Sequence, residues 1–182
     1  FGGASIKDAG AVRNMAEILK RFPDEKIIVV VSAMGKTTNA LEEILHLKLE
    51  NLSIDTAIEN LQEYHSKIIT DLFGEKKADC LKLLDNLFQT LNINLRTLEA
   101  SSYDESYDKI ISFGEIISSS ILNQYLQNEG FKISKIDAKN CIKTDESFRD
   151  ALVDWEESKK SITKTLDHEF TTNQLLITQG FL

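Results

Sequence analysis

Three stretches of this chain combine residue types that can hold a charged ligand. The richest is Val31-Ser32-Ala33-Met34-Gly35-Lys36-Thr37-Thr38-Asn39, which gathers hydroxyls, backbone amides and one ammonium directly after a β-branched run. A strand-to-helix loop of this kind is suited to holding a carboxylate or a phosphate. Gly35-Lys36-Thr37 invites comparison with a P-loop, but the P-loop pattern needs a second glycine where Val30 stands. Its nest of amides would lack the first turn, and a P-loop is rejected. Helix capping by Thr37, Thr38 or Asn39 is the plainer alternative. The second stretch, Phe1-Gly2-Gly3-Ala4-Ser5, is a glycine turn feeding a helix start, where amides approach a phosphate closely. An ordinary turn has the same composition. The third is Ser112-Phe113-Gly114-Glu115, followed by Ile116, Ile117 and the serines 118–120. Glu115 lies among Ile110, Ile111, Ile116, Ile117 and Ile121, and a carboxylate in that company needs a partner. A substrate ammonium would serve, as would a structural Lys or Arg, and a solvated helix face is the bland alternative. The serines are expected to serve close helix packing.

Other polar residues carry less. His46, His65 and His168 show no ligand spacing and are expected at the surface. Trp155 and the leucine stripes are expected in the core. Asp104 with Glu105, and Asp154 with Glu156 and Glu157, are expected on solvated faces or at helix starts. Cys80 and Cys141 are far apart and lack metal-type spacing, which fits a reducing cytoplasm better than a disulfide framework. The 182 residues carry a formal charge of −8 with no basic cluster, so nucleic acid is excluded as a partner. No apolar run approaches the length of a membrane span. The composition, 42% hydrophobic and 27% charged with one proline, is that of a single globular domain.

The elements that must position these residues follow from periodicity. Ser5 and Asp8 resemble a capping box before a helix carrying Val12, Met15, Ala16, Leu19 and Phe22. Ile27–Val31 reads as a strand buried on both faces. Asn39 opens a helix with Leu41, Ile44 and Leu45. Ile54, Ala57, Ile58, Leu61, Ile68 and Leu72 share a face of the next, which Gly74 caps. Leu81, Leu84, Phe88, Leu91, Leu95 and Leu98 form a stripe expected to pack antiparallel against it. One helix is predicted to run from Tyr107 through Tyr125 to about Gly130. Phe131–Ile136 is a short strand, 137–154 a polar loop, Trp155–Leu166 a helix and Leu175–Thr178 a strand. Strands separated by helices imply parallel pairing, with ligands at the carboxyl ends of the strands. That rule selects Ser32–Thr38, Asp137–Asp145 and Gln179–Leu182.

These segments together resemble the aspartokinase family. Family members carry Lys-Phe-Gly-Gly-Thr-Ser at the first strand–helix junction, and Phe1-Gly2-Gly3-Ala4-Ser5 matches with Ala4 in place of threonine. They carry Val-Val-Ser-Ala-Met-Gly-Gly-Val-Thr-(Asp/Asn) after the second strand, and Val30–Asn39 matches with Lys36 and Thr37 as departures. Gly114-Glu115 matches a Gly-Glu-Arg helix motif, with Ile116 replacing the arginine. Asp137-Ala138, Thr144-Asp145, Phe148 to Asp154 and Gln179-Gly180-Phe181 echo later family stretches. The likeness runs the length of the chain, in order.

The resemblance implies a three-layer α/β/α sandwich with a mostly parallel sheet, of the amino-acid-kinase (carbamate-kinase-like) type. The sheet would be incomplete here, with a helical insert at about 41–107. It implies ATP-dependent phosphorylation of the β-carboxylate of L-aspartate, the entry to lysine, threonine and methionine synthesis, with Mg²⁺ on the ATP phosphates. Thr38 and Glu115 would hold aspartate, Ser32 would lie near the transferred phosphate, and Gly2, Gly3 and Ser5 would face the phosphates. The chain reads as cut at both ends, lacking the family's lysine before Phe1 and the ATP-binding half after Leu182. It is therefore expected to be inactive alone and to belong to a homo-oligomer when full-length. A related kinase acting on another carboxylate, such as glutamate, is one rival. A non-catalytic regulatory or interaction module is another, for which Ala4 and Ile116 leave room.

Overall fold

The computed structural model describes residues 1–98 and 102–180. Phe181 and Leu182, expected at the third strand end, lie outside them, as do residues 99–101 of the expected helical insert. A one-turn 3-10 helix (Gly3–Ile6) precedes α1 (Ala9–Leu19), β1 (Ile27–Val31) and α2 (Thr37–Leu49). The long helices α3 (Asp55–Phe73) and α4 (Ala78–Arg96) follow, then α5 (Tyr103–Ile111) and α6 (Phe113–Asn128). The chain continues with β2 (Ile133–Lys135), α7 (Ala138–Cys141), α8 (Trp155–Glu169) and β3 (Leu175–Gln179).

The strands form a parallel sheet in the order β1-β3-β2, with Ile27 opposite Leu175 and Ile133 opposite the same residue. The chain moves past β3 to reach β2 and then returns, so its two crossovers run in opposite lateral directions. Right-handed crossovers therefore place α6 and α8 on opposite faces, giving the three layers. Phe1 extends the sheet beyond β1: its nitrogen donates to the Val30 carbonyl at 2.7 Å, and its carbonyl accepts from Ser32 at 3.1 Å. Val29 and Val31 are buried, but Ile28 is 42% and Val30 49% exposed. The continuous apolar run predicted burial on both faces; here only one face of β1 is covered.

The hairpin of α3 and α4 is antiparallel, as the two stripes require: Gln62 bonds Asp85 at 2.8 Å, while Asp55 near the start of α3 shares a groove with Arg96 at the end of α4. Gly74 ends α3 with φ +54°, the left-handed geometry that favours glycine. Ile58, Leu61 and Ile68 meet Leu84, Phe88, Leu91 and Leu95 in one continuous core. Burying each such side chain contributes roughly 1.5–3 kcal/mol.

Several local expectations change, among them the polar loop 137–154, which contains α7, and the helix expected to open at Asn39, which starts at Thr37. Asp8, not Ser5, caps α1: its carboxylate accepts from Ala11 at 2.8 Å, and Ser5 is exposed within the 3-10 turn. Phe22 falls beyond the end of α1 and is 48% exposed. The helix predicted through Tyr107 and Tyr125 is split at Ser112 into α5 and α6. Trp155 is 78% exposed rather than in the core, because it opens α8, whose cap Asp154 accepts from the Glu156 and Glu157 amides at the surface. Among the described residues no helix is long and apolar enough to cross a membrane.

Candidate functional site

The loop after β1 is built around Ala33. A Cβ added at Gly3 would collide with the Ala33 carbonyl oxygen and lie 3.2 Å from the Gly35 carbonyl oxygen. The Gly35 amide in turn donates to the Gly3 carbonyl at 3.0 Å. From the other side a Cβ at Gly114 would come 2.8 Å from the Ala33 Cβ and 3.4 Å from the Thr37 methyl. The two glycine motifs are thus the two surfaces that pinch one loop. Within the loop Gly35 has φ +55°, and the Thr37 amide and hydroxyl both donate to the Met34 carbonyl, at 3.0 and 2.6 Å. This tight turn opens α2 and leaves Thr38 half-buried in its first turn.

The ends of the other strands converge on the same place. Glu115 is half-buried in the first turn of α6, where the helix dipole favours negative charge. Its Oε2 would stand 3.7 Å from a Cβ added at Gly180, directly after β3, and that Cβ would also meet Val30 at 3.2 Å. The Gly180 amide donates to the Val31 carbonyl at 3.2 Å, and the Gln179 side chain donates to the Asp137 carboxylate. Asp137 follows β2 and caps α7 through the Lys139 amide at 3.0 Å. The carboxyl ends of all three strands therefore lie together, with Glu115 between them and the helix layer.

Of the residues expected to form a site, Ser32, Thr38, Glu115, Gly2 and Gly3 lie on segments in mutual contact. Gly2 and Ser5 are exposed, and the amides beside Gly2 and Gly3 belong to the 3-10 turn. The start of α1 is separate and is occupied by the Asp8 carboxylate. The arrangement sets Ser32, Thr38 and the glycine turn on one side and the Glu115 carboxylate on the other, while the amides of Ser32, Met34, Gly35 and Thr37 are taken up by bonds within the fold.

The sequence profile of the amino acid kinase family matches residues 1–182. The chain belongs to this family. It is 30% identical over 189 residues to Aspartokinase 2, chloroplastic, of Arabidopsis thaliana, covering 100% of this chain and 34% of that protein. Aspartokinase 3, chloroplastic, of the same plant is 31% identical over 188 residues, covering 33% of that protein. The chain thus spans about a third of the length of these curated relatives. The crystal structure of E. coli aspartokinase III in complex with aspartate and ADP superimposes with a TM-score of 0.86 at 21% identity, over 100% of this chain and 39% of that one. The fold is therefore the amino acid kinase fold.

Three residues of this amino acid kinase that support the site escaped sequence reasoning. Ser118 is wholly buried; its hydroxyl accepts from the Met34 amide at 2.8 Å and donates to the Gly114 carbonyl at 2.7 Å, pinning the loop to α6. Lys135, at the end of β2, donates to Ser120 Oγ at 2.6 Å and the Ile116 carbonyl at 3.4 Å. Burial lowers its pKa, with the Asp137 charge opposing. His65, expected at the surface, is wholly buried: Nδ1 lies 2.8 Å from the Leu61 carbonyl and Nε2 3.3 Å from Thr37 Oγ1. A signal for it was present, since His65 continues the stripe Ile58, Leu61, Ile68 at helical spacing.

Burial drives the His65 pKa down to about 4 from 6.5, with the bond to the Leu61 carbonyl opposing. The unfolded chain therefore binds a proton below pH 6.5 that the folded chain refuses until about pH 4. The stability from the neutral ring is complete above 6.5 and is lost as pH falls through that window. The expected loss is about 1.4 kcal/mol per pH unit, about 3 kcal/mol in all. Urea unfolding from pH 7 to 4 checks it: the wild-type slope should exceed that of His65→Phe by about one proton.

Proposed function

We propose that this chain is the amino-acid-substrate part of an aspartokinase kinase domain, with a helical insert at about 41–107. In this reading it serves transfer of the ATP γ-phosphate to the β-carboxylate of L-aspartate, as the entry to lysine, threonine and methionine synthesis. The observation that carries the reading is the position of Glu115: its carboxylate stands beside Gly180 at the carboxyl end of the sheet, and its neighbour Gly114 packs on the loop that presents Thr38. An amino acid needs this pairing of groups: hydroxyls and amides for its carboxylates, and a carboxylate for its ammonium.

The chemistry asks little else of the protein. The attacking β-carboxylate is ionised at neutral pH, so no general base is required. One of its oxygens forms a bond to the γ-phosphorus while the bond to the bridging oxygen breaks, leaving ADP and 4-phospho-L-aspartate. Catalysis is positioning and charge neutralisation. Glu115 pairs the α-ammonium, Thr38 binds a carboxylate, and Ser32 with the amides around Gly2 and Gly3 faces the transferred phosphate. Ser5 lies in the same 3-10 turn. ATP would bring Mg²⁺ on its phosphates; among the described residues no cluster of three or more His, Cys, Asp or Glu side chains is placed to hold a metal ion. A cytoplasmic homo-oligomer completes the reading.

The test is ADP release by the natural polypeptide over its whole length, with aspartate, glutamate or neither as acceptor. Aspartate-dependent release supports the proposal. Glutamate in its place indicates the related kinase, and calorimetry showing no aspartate binding indicates a non-catalytic module.

Lys36 is assigned no part in nucleotide binding. It is exposed and lines a cleft of about 400 Å³ between α2 and α3 with Glu43, Asn60 and Tyr64. Lys36→Ala is expected to leave the KM for ATP nearly unchanged. A tenfold rise, about 1.4 kcal/mol of lost binding, would place its ammonium on the phosphates.

A further inference from the structure

Two adjacent residues of α3 touch the site at different points: Tyr64 at the segment after the glycine turn and at Gly35, His65 at Thr37. Tyr64 Oη donates to the Lys7 carbonyl at 2.6 Å, just beyond the glycine turn, and stands against Gly35, where an added Cβ would collide with it. His65 reaches Thr37 at the start of α2. The rings are held by each other, edge to face with centroids 4.9 Å apart, and His65 lies 6.3 Å from the Phe88 ring of α4. The hairpin is thereby tied to both loops through consecutive side chains.

The hydrogen-bond inventory makes His65 specific. The Leu61 carbonyl can only accept, so Nδ1 carries the ring proton and the neutral ring presents a lone pair at Nε2. Thr37 donates its one hydroxyl proton to the Met34 carbonyl at 2.6 Å, and Nε2 lies 3.3 Å from the same oxygen. The hydroxyl is confined between the two, and with it the turn from Met34 to Thr37 that carries Thr38.

We infer that Tyr64 and His65 are positioning residues for phosphoryl transfer: Tyr64 sets the glycine turn on the phosphate side, and His65 sets the Thr37-Thr38 turn on the amino-acid side. This gives the α3–α4 hairpin the task of fixing the separation of the two substrates. The assignment rests on the kinase reading, and its test separates the two.

In the whole natural polypeptide, His65→Phe keeps an aromatic ring, somewhat larger than imidazole, and removes the bond to Leu61 and the polar contact with Thr37. It is expected to raise the KM for aspartate roughly 3- to 10-fold with a smaller change for ATP, while Tyr64→Phe shows the opposite preference. Thr37→Val removes the same link from the other side. Its combination with His65→Phe should cost no more than the larger single change. Amide hydrogen exchange supplies the second readout: faster exchange over residues 32–38 in His65→Phe and Thr37→Val, and over 2–8 in Tyr64→Phe. Lowered melting temperatures with both KM values and both exchange patterns unchanged would overturn the assignment. Should the wild type release no ADP with aspartate, the kinase reading fails and the exchange patterns alone decide the positioning claim. Should His65→Phe fail to fold, Thr37→Val and Tyr64→Phe carry both readouts.

Discussion

Glu115→Gln is expected to raise the KM for aspartate by about 10- to 150-fold, with the KM for ATP much less affected. The range follows from the roughly 1.5–3 kcal/mol that a charge-assisted hydrogen bond contributes. The substitution keeps the shape and removes the charge on which a pairing with a substrate ammonium would depend. The half-buried setting supports a sizeable effect, because solvent screens the site less than an exposed helix face. A structural role forecasts something else. If Glu115 serves only to hold neighbouring groups of the fold, Gln should lower the melting temperature and leave the aspartate KM alone. Steady-state kinetics and thermal unfolding on the same variant decide between the two.

The second large effect belongs to Gly3→Ala. The new methyl would collide with the Ala33 carbonyl oxygen and press on that of Gly35, and both are backbone atoms that no rotamer change can move. The glycine turn must back away from the loop, and the Gly35-to-Gly3 hydrogen bond of 3.0 Å lengthens or breaks. Misplacing substrates by about 1 Å costs on the order of 100-fold in rate, so kcat/KM is expected to fall about that much. The turn lies at the surface and buries only Ile6, so the melting temperature should fall less than for a core change. A kcat/KM within about threefold of wild type, roughly 0.7 kcal/mol, would show that the contact does not set the substrate geometry.

The parts of this fold most legible in the sequence were those where one periodicity acted alone. The stripes of α3 and α4, ended by Gly74, sit where their three- and four-residue steps place them. The three strand ends were legible because parallel topology sends ligands there. Residues whose role depends on partners distant in sequence were not. His65 fits an apolar stripe, but its meaning comes from Thr37, 28 residues away. Ser118 was assigned to packing, and its link to the Met34 amide, 84 residues off, shows only in three dimensions. Ile28 and Val30 illustrate the converse. A run of β-branched residues records the burial a strand can accept, and the covering layer is a property of other segments. Ser5 and Asp8 have the spacing of a capping box, but the 3-10 turn Gly3–Ile6 takes up Ser5 and leaves Asp8 as the cap of α1.

In the proposed reading the groups around Glu115, Thr38 and the glycine turn serve transfer of phosphate to the side-chain carboxylate of aspartate. Trapping the product tests it most directly. The natural polypeptide, over its whole length, is incubated with MgATP, aspartate and hydroxylamine, and the hydroxamate is identified by mass spectrometry. β-Aspartyl hydroxamate is expected in amounts matching the ADP released. ADP without hydroxamate, or a hydroxamate formed from glutamate and not from aspartate, would contradict it.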